Sequence, residues 1–463
     1  MRKMAGLAVM IGAALAAGCN SNNDSNTPEP SAKNVIFFLG DGMGLNTLTA
    51  SRIYGVGEEG SLTIDTLPET AFIKTFSHDA QVTDSAPSMA AYMTGVKSNN
   101  GVISMDSDAT QESDCSQSGG KAVTTLLELA KADGRGTGVV TTTRVTHATP
   151  AATYAHICNR DLEADIAAQL VPGGAGYNSA LKEGLDVVLG GGSGFFLPSA
   201  DKGKRTDGRN LIDEMKAKGY QFAATLDELN QADASKPLLG LFGSSHMKYD
   251  LDRPASEPSL AQMTLAAIKQ LKGKEKGYFL MVEGGRIDHA LHDTNAKRAL
   301  QDTLAFDNAI QAAINEVKKT DPELKNTLIV VTADHDHTLV LNGYAKRTGK
   351  TTAGNAGVLG LVKNYETGEP SKDSDGMPYT IIGFGNGYNR VDGPRSSVAA
   401  LDDATASADD YHQEVVVKVG EIGNETHGGT DVFLGAIGQG AERFHGSLDN
   451  TAVFGKIKAA AKL

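Results

Sequence analysis

The 463-residue chain has little positive charge, few cysteines and no apolar run long enough to cross a bilayer. Its 43 Lys and Arg stand against 56 Asp and Glu, a formal net charge of −13. That balance excludes a nucleic-acid-binding module that works by neutralising a phosphate backbone. An anionic ligand would have to find positive charge locally, from metal ions and a few arginines. The N-terminal apolar stretch, Met4 to Ala17, is too short to span a membrane; preceded by Arg2 and Lys3 and ending in small residues, it reads as an export signal. Three cysteines allow a single internal disulfide once Cys19 is set aside. In an oxidising compartment Cys115 and Cys158 are expected to form it, for about 4 kcal/mol of stabilisation, with two free buried thiols as the alternative. There is no internal repeat and no clear linker after Ala32, which favours one continuous domain.

Within the export signal, Leu15-Ala16-Ala17-Gly18-Cys19 resembles a bacterial lipoprotein cleavage site. Cys19 would then be the lipidated first residue, and an ordinary secretory signal is the alternative. The expected organisation is a signal peptide over 1–19, a flexible Asn/Ser/Asp/Pro-rich tether over 20–33, and a folded domain over 34–463. The product would be exported: periplasmic, anchored to an outer membrane, or extracellular.

Along the mature chain, short apolar runs alternate with helical patterns, which predicts an α/β fold with a central, mostly parallel sheet covered by helices on both faces. Strands are expected at Val35 to Leu39, Gly138 to Thr142, Val187 to Leu189, Tyr278 to Val282 and Leu328 to Thr332. Ala296 to Lys319 carries Ala299, Phe306, Ile310, Ala313 and Val317 at helical spacing and reads as a covering helix. The Gly-rich segment within 343–425 is expected to be an insertion. In open α/β sheets, ligand-binding groups gather beyond the carboxyl ends of strands, and four of the five runs lead into such groups.

The candidate groups follow in order. Asp41 sits in Gly40-Asp41-Gly42-Met43-Gly44, which lacks the spacing of a dinucleotide fingerprint and taken alone is only a turn. Ser85 precedes a Pro and a run of helix formers, so its hydroxyl projects at a helix N-terminus, where backbone N–H groups favour anionic oxygen; a simple cap is the alternative. Beyond the second strand lie His147, the hard oxygen of Thr149, and Arg160, a planar fork able to grip two phosphate oxygens. His156 reads as a satisfied structural histidine. Asp288 and His292, four apart, share one helix face and form a natural zinc chelate, while His289 faces elsewhere, toward substrate or water. Glu283 follows an apolar strand, where a carboxylate is costly without a cation. Asp334 and His335 end the fifth strand and converge on one ion only if the backbone leaves regular extension there. His427, among glycines, is a turn histidine if taken alone.

Together the motifs around Asp41, Asp84-Ser85, His147-Ala148-Thr149-Pro150, Arg160, Glu283, Asp288, His292, Asp334-His335 and His427 resemble those of the alkaline phosphatase family, in order and across nearly the whole mature chain. The resemblance implies a phosphate monoesterase acting through a phosphoserine, generally a homodimer, with two zinc ions and one magnesium ion. Asp288, His292 and His427 would hold the first zinc, and Asp41, Asp334 and His335 the second. Asp41, Thr149 and Glu283 would hold the magnesium. Ser85 would be the nucleophile, Arg160 the phosphate clamp, and His147 and His289 further substrate contacts. Where some relatives carry Asp and Lys, this chain has His147 and His289, so it resembles the His/His type. A further calcium site of the animal enzymes is not expected, because the glutamate it needs near Gly243 is missing. Two other readings remain. Ser85-Ala86-Pro87-Ser88-Met89 is one residue from the sulfatase pattern, with Met89 in place of Arg, which leaves a sulfatase or phosphodiesterase open. A lipid-anchored metal- or phosphate-binding protein without turnover would share the ligand set.

Overall fold

All five expected strands form, each reaching slightly beyond its apolar run: Asn34–Gly40, Gly136–Arg144, Val187–Gly191, Tyr278–Gly284 and Thr327–Ala333. The computed structural model describes residues 31–463. The expected signal peptide, Cys19 and most of the tether lie outside the described residues. The tether's last residues are packed, because Ala32 is buried and donates its N–H to Ala460 O at 2.8 Å, and Lys33 donates to Asn326 O at 2.8 Å.

The strands belong to one ten-stranded sheet. From edge to edge it runs Gly446–Asp449, Glu69–Lys74, Val432–Gly438, Thr327–Ala333, Asn34–Gly40, Tyr278–Gly284, Gly136–Arg144, Val187–Gly191, Leu238–Leu241 and Gln221–Ala223. Val432–Gly438 is antiparallel to both neighbours, and the other pairs are parallel. Adjacent residues of a strand point to opposite faces. Phe37 meets Tyr92 of the helix Ser85–Thr94 at a ring separation of 5.5 Å, whereas Phe38 meets Phe306 of the helix Ala296–Lys318 at 5.9 Å. Helices therefore cover both faces. The long helix starts where Asn295 caps it, accepting the N–H of Arg298 at 3.0 Å.

A separate three-stranded sheet, Leu339–Leu341, Ile382–Gly387 and Val415–Lys418, falls largely in the segment expected to be an insertion. Among the described residues no helix is long and apolar enough to cross a membrane. Cys115 and Cys158 form the expected disulfide, with Cα atoms 5.5 Å apart. His156 is satisfied as expected, donating to Ser104 O and to Glu128 Oε1 at 2.8 Å each. Burial opposes its charge, but Glu128 raises its pKa.

Asp302, a buried carboxyl inside the long helix, makes no direct ion pair among the described residues. Asp302 is 5% exposed and accepts the N–H of Asp250 at 3.1 Å. Burial pushes its pKa from the ordinary 3.8 up to about 8. Between those values the folded chain holds a proton that the unfolded chain has lost, so stability falls as pH rises through the window, by on the order of 6 kcal/mol at most. Asp302→Asn removes this dependence. Urea unfolding at pH 6 and pH 9 should show a smaller loss of stability for the variant than for the parent, and equal losses would contradict the assignment.

Candidate metal centre

Parallel register brings the site together. Leu39 pairs with Glu283 and Gly40 with Gly284 on one side, Gly40 pairs with Ala333 on the other, and Thr141 pairs with Glu283. Asp41 and Asp334 thus follow a paired position and Glu283 lies two residues short of them, all at the carboxyl ends of three adjacent strands, and all three are fully buried. Gly42 makes the turn possible. Its φ is +68°, and a Cβ there would fall 2.5 Å from His337 Nε2, so neither the conformation nor the space admits a side chain. Its N–H donates to Asp334 Oδ1 at 3.0 Å.

Ser85 opens the helix Ser85–Thr94, and Asp84, not Ser85, is the N-cap, accepting the N–H of Ala86. The serine hydroxyl is thereby left free of the capping role. Its Oγ lies 3.4 Å from Asp41 Oδ1 and 3.2 Å from His335 Nε2. Asp84 Oδ1 also accepts from Arg160 Nη1 at 3.1 Å, while Arg160 Nη2 donates to His147 Nε2 at 3.0 Å. The arginine is thus held beside the serine helix. Its own backbone N–H donates to Gly101 O at 2.8 Å, and Gly101 N–H donates to Asp84 Oδ2.

The imidazoles are aimed by their far nitrogens. His292 Nδ1 donates to Glu425 O, His427 Nδ1 to Thr83 O at 2.8 Å and His335 Nδ1 to Asp336 O at 3.2 Å. Carbonyl oxygens only accept, so each ring turns a bare Nε2 toward the site. His292 Nε2 and His427 Nε2 then face each other at 3.1 Å, with Asp288 Oδ1 at 3.3 Å and 3.6 Å from them. Two lone pairs and a carboxylate at these separations have the donor set and spacing of a tetrahedral metal site. A second set joins His335 Nε2 to Asp41 Oδ1 and Asp334 Oδ2 at 3.4 Å each. In a third, ligand atoms of Asp41, His147 and Glu283 lie within 4.8 Å of one another.

Buried, unpartnered atoms point the same way. Asp41 Oδ2, Asp334 Oδ2, Glu283 Oε1 and Thr149 Oγ1 have no hydrogen-bond partner. Burial, then the charges of Asp334, Asp288 and Glu283, push Asp41 well above the usual carboxylate range. Burial likewise raises Glu283 to about 7, even though Thr141 donates to it. Groups that resist ionising alone are stabilised as anions by divalent cations. The residues present fit such ions.

Three site residues, His337, Glu425 and His246, escaped the sequence reading. His337 donates from Nε2 to Asp288 Oδ1 at 2.8 Å and from Nδ1 to Glu425 Oε2 at 2.6 Å. Burial works against its charge, but the two carboxylates raise its pKa to about 10. The signal was present, since His337 is two residues beyond His335 in Asp334-His335-Asp336-His337. His246 had no such signal. It stands in a polar Ser-Ser-His loop, yet its ring packs 4.2 Å from His289 and 5.5 Å from His147, and Arg144 donates to its Nε2. Asp288 and His292 share a helix, Arg286–His292, as the spacing predicts. His289 turns away from them toward His246 and His147, with ring centroids 5.5 Å apart in the latter pair.

The sequence matches the family model for alkaline phosphatase over residues 32–463. The chain belongs to the alkaline phosphatase family. It is 38% identical to the tissue-nonspecific alkaline phosphatase of Gallus gallus, a match covering 90% of this chain and 82% of that one. It is also 38% identical to a membrane-bound alkaline phosphatase of Bombyx mori, over 93% of this chain and 80% of that one. Among solved structures it resembles a histidine-to-aspartate mutant of TAB5 alkaline phosphatase with Mg bound in the M3 site. That match has a TM-score of 0.65 and 26% identity, and covers 94% of this chain and 99% of the other. As an alkaline phosphatase the chain is a metal-dependent hydrolase of phosphate monoesters.

Chelation should therefore cost stability as well as activity. Because the cations bind only the folded chain, removing them forfeits about 4 kcal/mol if they are held at a thousand times their dissociation constant. A melting scan with and without EDTA should show a lower Tm in the stripped protein and recovery on adding divalent metal. Coincident melts would argue against buried metal sites.

Proposed function

We propose that this alkaline phosphatase works through a covalent phosphoserine on Ser85, with Arg160 holding the transferred phosphoryl group. The observation that carries this reading is the placement of Ser85 Oγ at a helix start, against Asp41 and His335, with Arg160 fixed alongside by Asp84 and His147. Asp288, His292 and His427 would hold one zinc and Asp41, Asp334 and His335 a second, as suits mixed nitrogen and oxygen donors. Asp41, Thr149 and Glu283, all oxygen donors, suit magnesium. When bound, these ions would neutralise the attacking and leaving oxygens of an in-line transfer and lower the pKa of the nucleophiles.

The protein's own part follows from its geometry. Ser85 Oγ attacks phosphorus, the ester P–O bond breaks, and the alcohol leaves with a proton. Water then attacks the phosphoserine from the vacated side, releasing phosphate and restoring the hydroxyl. Arg160 grips the equatorial oxygens through both transfers, and its anchoring by Asp84 means little reorganisation is required at the moment of reaction. His289 and His147 line the neighbouring space as further substrate contacts, and His147 also stands beside Asp41 and Glu283 of the third set.

The sequence supports a signal peptide over 1–19, a tether over 20–33 and a catalytic domain over 34–463 with an insertion within 343–425. Lipidation at Cys19 would place the enzyme at a membrane surface, periplasmic or facing outward. Resemblance to the family supports a homodimer.

Ser85→Ala should lower turnover of p-nitrophenyl phosphate by at least about 10³-fold with metal content unchanged. Incubating the parent with phosphate at low pH should label Ser85. A fully active alanine variant would sink the covalent route. The same assay run on bis-p-nitrophenyl phosphate and p-nitrophenyl sulfate tests the diesterase and sulfatase alternatives, with the monoester expected to be hydrolysed fastest. For the third site, an imidazole brings no negative charge, so His147→Asp should retain magnesium more tightly than the parent. Magnesium titration of chelated protein measures this, and an unchanged requirement would contradict it.

A further inference from the structure

Glu425 is 1% exposed and is tied to the helix that carries Asp288 and His292 and to the His337–Thr338 segment beside it. Its Oε1 accepts from Thr338 N at 2.8 Å and from Thr338 Oγ1. Oε2 accepts from His337 Nδ1 at 2.6 Å, and the other nitrogen of that ring donates to Asp288 Oδ1. Through the backbone, Glu425 O accepts from His292 Nδ1 and Glu425 N donates to His292 O at 3.3 Å. Two residues on comes His427, whose own strand pairs with that of His337. Glu425 thus contacts His292 directly and Asp288 through the His337 imidazole, and it precedes His427 by two residues.

We infer that Glu425 is the positioning residue of this ligand set, fixing Asp288 through His337 and the His292 ring through its own carbonyl. The inference rests on the reading of that set as a metal site. The chemistry explains why a carboxylate is needed. Both oxygens face donors only, two from Thr338 and one from His337, and an amide can satisfy the threonine or the imidazole but not all three. Once the acceptor is lost, His337 is free to turn away from Asp288, and the carboxylate loses the partner that sets its direction. Groups that orient metal ligands in this way typically contribute about 10- to 100-fold in metal affinity.

The test uses zinc-loaded, full-length enzyme dialysed against zinc-buffered chelator, with zinc per chain read by atomic emission. E425Q should release one zinc equivalent at about 10- to 100-fold higher free zinc than the parent, and keep the other. In an H337Q background the same substitution should add little, because the carboxylate acts through that ring. Unchanged zinc retention in E425Q overturns the inference. So does equal loss of both equivalents together with a collapsed Tm in excess zinc, or full additivity with H337Q. Should E425Q fail to fold, Thr338→Val removes one anchor of the carboxylate and should shift release severalfold in the same direction; no shift is again a refutation. H292A, which deletes a ligand, separates the two claims. If it keeps both equivalents, the metal-site reading fails, whatever Glu425 does.

Discussion

Three carboxylates buried at the ends of three neighbouring strands are the constraint the rest of the molecule serves. Asp41, Glu283 and Asp334 are fully out of water, and no lysine or arginine pairs directly with any of them among the described ion pairs. Burying charge without compensation is the most expensive arrangement a fold can adopt, and a sheet this large supplies the rigidity to impose it. The cost is recovered when divalent cations arrive. Folding stability and catalytic competence are therefore linked through the same side chains.

Backbone carbonyls do much of the remaining work. The imidazoles of His292, His427 and His335 are each tied at Nδ1 to a main-chain oxygen, so their orientation follows from the path of the chain and not from another mobile side chain. The glycine turn after the first strand leaves room for His337 to lie directly against Asp288 and its neighbouring histidines. On the phosphate side, Gly101 joins Asp84 and Arg160 through its own N–H and C=O. The disulfide fastens the adjoining segment, two residues from the arginine.

Much of this was legible in the sequence, for identifiable reasons. Strands buried on both faces leave near-continuous apolar runs, and all five expected runs form strands. Asp288 and His292 were legible because a single helical turn links them. Asp334-His335 was legible because a strand ends there. His427 was weaker, because a histidine among glycines looks like a turn until its antiparallel pairing with His337 is seen. His337 and Glu425 were overlooked although adjacent to recognised motifs, since sequence cannot tell a ligand from the group that orients it. His246 could not have been found, because only tertiary packing brings its loop against His289.

The order of strands in the sheet has a bearing on biogenesis. The first strand of the domain, Val-Ile-Phe-Phe-Leu at its centre, is flanked in the finished sheet by Tyr278–Gly284 and Thr327–Ala333. As the chain is made, this apolar ribbon waits for partners encoded far downstream. Until they appear, its unpaired backbone edges and apolar side chains are open to self-association. The segment that carries His427 is made later still, so the clustered residues are complete only near the end of synthesis.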